Sequence, residues 1–177
     1  MATTWIVDQA HSDVQFKIKH LVISTVTGSF KTFSGRLIQE WEDFEGAKVY
    51  FEIDPKSVDT NNTARDEHLR WDDFFGTQDY PLMTFYSTSF TKISKNEYEL
   101  IGNFTMKGIT KSLILKAEFW WITVSPYGVE KAGFEISGII IRSDFNITFN
   151  SPLESGGMMI GEDVKFIVNL QIDKQGI

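Results

Sequence analysis

The amino-acid sequence predicts an all-β chain: a single antiparallel barrel of about eight strands with a short helical insertion around residues 58–75. Three observations predict it. Apolar and polar residues alternate with a period of two along most of the chain, as they do when one face of each strand meets an interior and the other meets water. Turn-forming residues punctuate the alternating runs. Residues 58–75 are the one stretch where the β pattern breaks and helix-terminus signals replace it.

The second strand shows the alternation most clearly. Between Asp13 and His20, Val14, Phe16, Ile18 and His20 share one face, while Asp13, Gln15, Lys17 and Lys19 share the other. A histidine is thereby aimed inward. A turn is expected at Thr27-Gly28, followed by a strand from about Phe30 to Trp41 whose apolar phase changes between Phe30 and Phe33, the mark of a bulge. Ala47, Val49, Phe51 and Ile53 alternate with Lys48, Tyr50 and Glu52 until Asp54-Pro55, where proline denies the ladder a donor. Thr63-Ala64-Arg65-Asp66 fits a capping box, with Asp66 and Glu67 early in the helix and Arg70 late to suit its dipole.

Further strands are expected over Met83–Phe90, Glu97–Met106 and Lys111–Trp121, joined by turns at Ser94-Lys95-Asn96 and Lys107-Gly108. Ala132, Phe134, Ile136, Gly138 and Ile140 alternate through the next strand to Arg142, and Val164, Phe166, Val168, Leu170 and Ile172 form the last. Asn150 to Gly161, with Pro152, Gly156 and Gly157, reads as a flexible loop. With no internal repeat or linker, one domain over residues 1–177 is expected.

Composition narrows the function. The chain carries 17 Lys and Arg against 24 Asp and Glu, a formal charge of −7 that opposes phosphate backbones, so nucleic acid is not an expected partner. It has no cysteine, which removes thiolate nucleophiles and zinc–thiolate sites. The histidines match no zinc spacing, and no glycine-rich phosphate cradle is present, so neither metal nor nucleotide chemistry is expected. The 15 Phe and 5 Trp make the apolar content bulky and flat, suited to a wide pocket. The opening residues lack the pattern of a signal peptide, so the expected compartment is the cytoplasm, or the periplasm if an export signal has been removed.

Five elements in order resemble the YceI-like family over nearly the whole chain. They are Trp5-x-x-Asp8-x-x-His11-Ser12 with Phe16, His20 and Gly28-Ser29-Phe30; Arg65-Asp66-Glu67-His68-Leu69 with Phe74-Phe75, Tyr80-Pro81 and Phe85; Gly102 to Thr110; Arg142-Ser143-Asp144-Phe145; and Asp163-Val164. The resemblance implies an extended lipocalin-like barrel filled by a polyisoprenoid, such as an isoprenoid quinone or prenyl diphosphate, often in a homodimer. The chain departs from the family pattern at Asn146, where glycine is usual, and at Phe104, where leucine is usual. Asn tolerates a left-handed backbone, and Phe104, if inward, reshapes the pocket.

On this reading the apolar tail would meet Phe16, Ile18, Phe51, Phe85, Leu100, Leu115, Phe134, Ile136 and Phe166, each of which would otherwise be plain core. His20, Arg65, His68 and Arg142 are the candidates to orient a head group. The bland alternatives are a rim histidine bonded to backbone or water and an Arg65–Asp66 ion pair locking the helix. His11-Ser12 is read as a turn held by Asp8 rather than as a nucleophile and its base. Non-catalytic carriage with no cofactor beyond the bound lipid or quinone is the leading expectation. The competing readings are an enzyme acting on an isoprenoid with His20 or His68 as acid–base, and a solid-cored dimeric interaction module using Trp120, Trp121 and Tyr127.

Overall fold

The computed structural model describes residues 1–176. Its strands are β1 (Thr3–Val7), β2 (Asp13–His20), β3 (Ser24–Phe30), β4 (Phe33–Gln39), β5 (Lys48–Ile53), β6 (Val58–Asp59), β7 (Met83–Lys92), β8 (Glu97–Met106), β9 (Ile109–Val124), β10 (Glu130–Ile141) and β11 (Asp163–Lys174). One helix, α1 (Thr63–Arg70), follows β6.

These strands form eight antiparallel staves, because three staves are interrupted. β1 and β2 both pair with β11, at Val7↔Ile172 and Phe16↔Phe166. β4 pairs with β1 while β3 pairs with β2, and β5 and β6 lie against β4 and β3 in turn. β7 to β11 continue as a meander. The pairing of β11 with β1 and β2 closes the sheet, so the barrel has no free edge there.

Each interruption has a local cause. Phe30 and Phe33 are both buried although they are an odd number of residues apart, so the chain changes phase at Lys31-Thr32, as the sequence pattern requires. Both of those amides donate to Ser57, to its carbonyl and its hydroxyl respectively. At Pro55 the chain makes a short turn capped by the Asp54 carboxylate, which accepts from the Lys56 amide. Between β1 and β2, Asp8 accepts from the Ala10 amide and lies 2.8 Å from His11 Nδ1, and its carboxylate also accepts from Gln171 Nε2 on β11. His11-Ser12 is therefore part of a turn organised by Asp8.

Two local expectations are corrected. Thr27 and Gly28 lie within β3, and the β2–β3 hairpin reverses at Leu21–Ile23 instead, with positive φ at Leu21 and Val22. Gly28 is required for space, since a Cβ there would lie 2.4 Å from the Phe16 ring. The helix N-cap is Asn62, not Thr63, and its side chain accepts from the Arg65 amide. Asp66 does not complete a capping box but accepts from the amide and hydroxyl of Thr60.

The two barrel ends differ. One is sealed by Phe44, carried on the β4–β5 connection and only 2% exposed. Its ring meets Trp5, Phe119 and Phe134 at centroid distances of 5.6, 5.5 and 5.0 Å. Trp5 is fixed in turn by its indole N–H donating to Gln39 at 2.8 Å. The opposite end carries α1, the β2–β3 hairpin and the 146–162 connection. That connection is pinned rather than loose, because Arg142 donates to the carbonyls of Ile147, Phe149, Ile160 and Gly161. Asn150 adds a reciprocal pair with the backbone of Ile160. Asn146 adopts the left-handed conformation, φ 59°, at the start of this connection, as its side chain allows.

Phe44→Ala should lower stability by about 3–5 kcal/mol, because it removes a buried ring from a sealed cluster; a loss of less than about 1 kcal/mol in unfolding free energy from denaturant titration would contradict the plug. The hydrogen bond and charge of His11 hold the Asp8 carboxyl below its ordinary value of 3.8. A depressed carboxylate stabilises the fold above its unfolded pKa, and that contribution is lost as pH falls through the folded value. The stability difference between the parent and Asp8→Ala should therefore be full at about pH 5 and shrink below about pH 4 in pH-dependent denaturation curves.

Candidate functional site

The inward faces of the staves do not meet in the middle. They enclose a cavity of about 350 Å³ with an almost wholly apolar wall, within the range of roughly 300–1,000 Å³ typical of small-molecule sites. The wall is built from a repeated close approach of a phenylalanine ring to a glycine. A Cβ at Gly35 would lie 2.5 Å from the Phe51 ring, one at Gly102 2.3 Å from Phe85, and one at Gly138 2.9 Å from Phe166. With Phe16 over Gly28, four rings thus lie back against the barrel wall, and the volume that a side chain would fill at each glycine goes to the ring instead. Phe51 and Phe166 face inward and pack against the core yet are only half-buried, so each keeps a surface open to the cavity.

All nine residues expected to meet an apolar tail line this cavity: Phe16, Ile18, Phe51, Phe85, Leu100, Leu115, Phe134, Ile136 and Phe166. Phe134 also belongs to the plug around Phe44, which places it at the blind end. Phe104 is inward and buried, its ring edge-on to Phe145 at 5.6 Å, so the bulk that distinguishes this position is spent inside the barrel.

The four polar candidates gather at the other end, and their surroundings separate them. His20, the last residue of β2, is half-buried on the cavity wall, and its ring makes no hydrogen bond among the described residues. Arg65 extends from the first turn of α1 and donates through Nε to Thr60 Oγ1 and through Nη2 to the Thr60 carbonyl, both at 2.8 Å. A guanidinium has five N–H donors, so three remain. Arg65 and Asp66 form no ion pair; both converge on Thr60, which ties α1 to the strand before it.

His68 lies one turn further along α1, with Nε2 2.9 Å from Asp73 Oδ2 and its ring packed against Trp71, Phe74 and Phe149 at 4.9–5.0 Å. Arg142 has a different occupation from the one expected of it. It is 2% exposed, its donors go to four backbone carbonyls, and Nη2 lies 3.3 Å from Glu162. Burial lowers its pKa from the ordinary arginine value while Glu162 opposes that shift. Its donors are spent on holding the 146–162 connection at the cavity mouth.

Several site features carried no usable signal in the sequence. Phe44 and Phe149 sit in irregular segments where alternation assigns no face, and Thr60 precedes the helix without a motif. The inward glycines Gly102 and Gly138 fall at the correct strand parity, but parity does not reveal which ring will cover them. Trp120, Trp121 and Tyr127 are exposed, as a contact patch requires; Trp120 is the extra residue of a bulge opposite Gly133-Phe134, between Phe119 and Trp121.

Comparison with known proteins agrees with this architecture. The YceI-like domain family matches residues 5–172. A UPF0312 protein of Staphylococcus epidermidis is 44% identical over 160 residues, covering 90% of this chain and 91% of its own length. The crystal structure of the Campylobacter jejuni YCEI protein is similar with a TM-score of 0.75 at 35% identity, covering 96% of each chain. A polyisoprenoid binding domain from Saccharophagus degradans is similar with a TM-score of 0.73 at 14% identity, covering 97% of this chain and 98% of that one, a likeness of fold. With a closed eight-stranded barrel around an apolar cavity and a family match spanning all but its ends, the chain belongs to the YceI-like family.

Proposed function

We propose that this protein binds and carries a long apolar isoprenoid, of the prenyl quinone or prenyl diphosphate type, without transforming it. The observation that carries the reading is the hollow barrel: inward aromatic rings lie back against glycines and surround about 350 Å³ of apolar space. An apolar chain entering it would gain about 25 cal/mol for each Å² of apolar surface withdrawn from water. The polyisoprenoid binding domain of the same fold supports the isoprenoid class of ligand. No cofactor beyond the guest is invoked.

The tail lies along Phe16, Ile18, Phe51, Phe85, Leu100, Leu115, Ile136 and Phe166, with its far end toward Phe134. The head stays at the mouth, where Arg65 has unspent donors and His20 an unbonded ring. Both groups can donate to a quinone carbonyl or to a phosphate oxygen. His68 shapes the mouth through its aromatic neighbours, and Arg142 supports the site by fixing the connection that borders it. The enzyme reading, with His20 or His68 as acid–base, has less support, because the apolar cavity accounts for binding without it and the His68 ring, held by Asp73 on one nitrogen, packs against Trp71, Phe74 and Phe149.

Gly138→Ala tests the cavity directly. Its new Cβ would fall 2.6 Å from Leu115 Cδ2 and 2.9 Å from Phe166, both side-chain atoms, so those side chains must move into the cavity. Titration with a long prenyl quinone should show affinity weakened about tenfold with the fold intact, and a short prenol should be affected less. Equal affinity for the long quinone in parent and variant would contradict the reading. Extraction after prolonged incubation should return the quinone unchanged from both the parent and His68→Ala; a new product lost on His68→Ala would instead support the enzyme.

A further inference from the structure

The cavity mouth is bordered by exposed apolar side chains that the barrel itself does not need. The β2–β3 hairpin ends in Leu21, Val22 and Ile23, with Val22 60% and Ile23 87% exposed. Met158, 48% exposed, lies on the adjoining connection, and Trp71, 61% exposed, lies just after α1. These segments form one rim through contacts in the structure. The Leu21 amide donates to the Met159 carbonyl at 2.7 Å, and His20 bridges to Ile160. Asn150 binds Ile160, and its neighbour Phe149 packs on His68, which packs on Trp71. Met159, Ile160 and Phe149 line the cavity as well, so the apolar rim runs without a break into the apolar interior.

The hairpin tip is also strained toward this display. Leu21 and Val22 have φ of 55° and 67°, a region that favours glycine and asparagine and that a β-branched residue enters at a cost. Turn-forming polar residues would relieve that strain, and here the positions hold aliphatic ones instead. Aliphatic tips beside a tryptophan are the composition of an interfacial membrane anchor. The charges around the rim are mixed, with Lys19 on β2 and Arg65 on α1 against Asp72, Asp73 and Glu162, and the whole chain carries −7. Such a surface suits a neutral bilayer rather than an anionic one.

Resting on the carrier reading above, we propose that the rim formed by Leu21, Val22, Ile23, Met158 and Trp71 docks on the surface of a neutral phospholipid bilayer. An apolar guest can then pass between the membrane and the cavity without crossing water. The Phe44 end of the barrel faces away from the bilayer in this arrangement, and the exposed Trp120 and Trp121 take no part in docking.

The probe is a vesicle of dioleoylphosphatidylcholine containing acyl-chain-brominated lipid. The full chain should float with these vesicles and show tryptophan quenching that Trp71→Phe largely removes. Val22→Asp combined with Ile23→Asp should weaken partitioning about tenfold or more, because two carboxylates replace the inserting side chains. Ile23→Ser should act in the same direction more mildly and guards against misfolding of the double variant, while Trp121→Ala should leave partitioning unchanged. Absence of partitioning by the parent, or loss with Trp121→Ala but not with the tip variants, would overturn the proposal. Farnesol added from ethanol separates the two readings. Vesicle binding without farnesol binding would sink the cavity reading and leave the docking, whereas farnesol binding without vesicle binding would sink the docking and leave the cavity.

Discussion

The close approach of phenylalanine rings to glycines on the barrel wall decides what kind of interior this chain has. An eight-stranded barrel has barely enough room for its own inward side chains, and a chain with 15 phenylalanines would be expected to fill it. At Gly35, Gly102 and Gly138 the absence of a Cβ lets Phe51, Phe85 and Phe166 lie back into the wall. The rings then present faces to the cavity and withhold their full length from it. The half-buried state of Phe51 and Phe166 and the bulk of Phe104 against Phe145 belong to the same wall.

The polarity of the barrel follows from how its two ends are closed. At the blind end the closure is aromatic: Phe44 fills the space between Trp5, Phe119 and Phe134, and no charge is needed there. At the mouth the closure is polar and built from cross-connections, with Arg142 gathering four carbonyls and Thr60 gathering Asp66 and Arg65. Buried arginine is tolerable only because its fork is fully engaged. That engagement is why the neighbouring His20 and Arg65, with donors to spare, are better placed to meet a guest's head group.

Most of the barrel was legible in the sequence, because alternation is a direct consequence of a one-sided interior. The run Glu97–Met106 matches β8 at both ends, and parity placed His20, Phe16 and Phe166 on the inner face. Legibility failed where backbone geometry was unusual. A reversal at Leu21-Val22 has no turn residues to announce it, so the turn signal falls on the nearest glycine, Gly28, which lies inside β3. The role of Gly28 is set by Phe16 on the neighbouring strand, which local sequence does not encode. Arg142 is recognisable as a polar residue closing an apolar strand, but its partners lie up to 19 residues away, in a connection without periodicity, so its structural occupation is not legible. For the same reason Phe44 and Phe149, both in irregular segments, were invisible as the plug and as part of the mouth.

What distinguishes a ligand cavity from an imperfectly packed core is whether the barrel holds a guest. Native mass spectrometry of the purified protein, followed by solvent extraction and mass identification of whatever is released, separates the two. A ligand cavity should yield a co-purified polyisoprenoid near one per chain, or stoichiometric uptake when a prenyl quinone or prenyl diphosphate is supplied. A chain that carries nothing and takes up neither compound would contradict the ligand cavity.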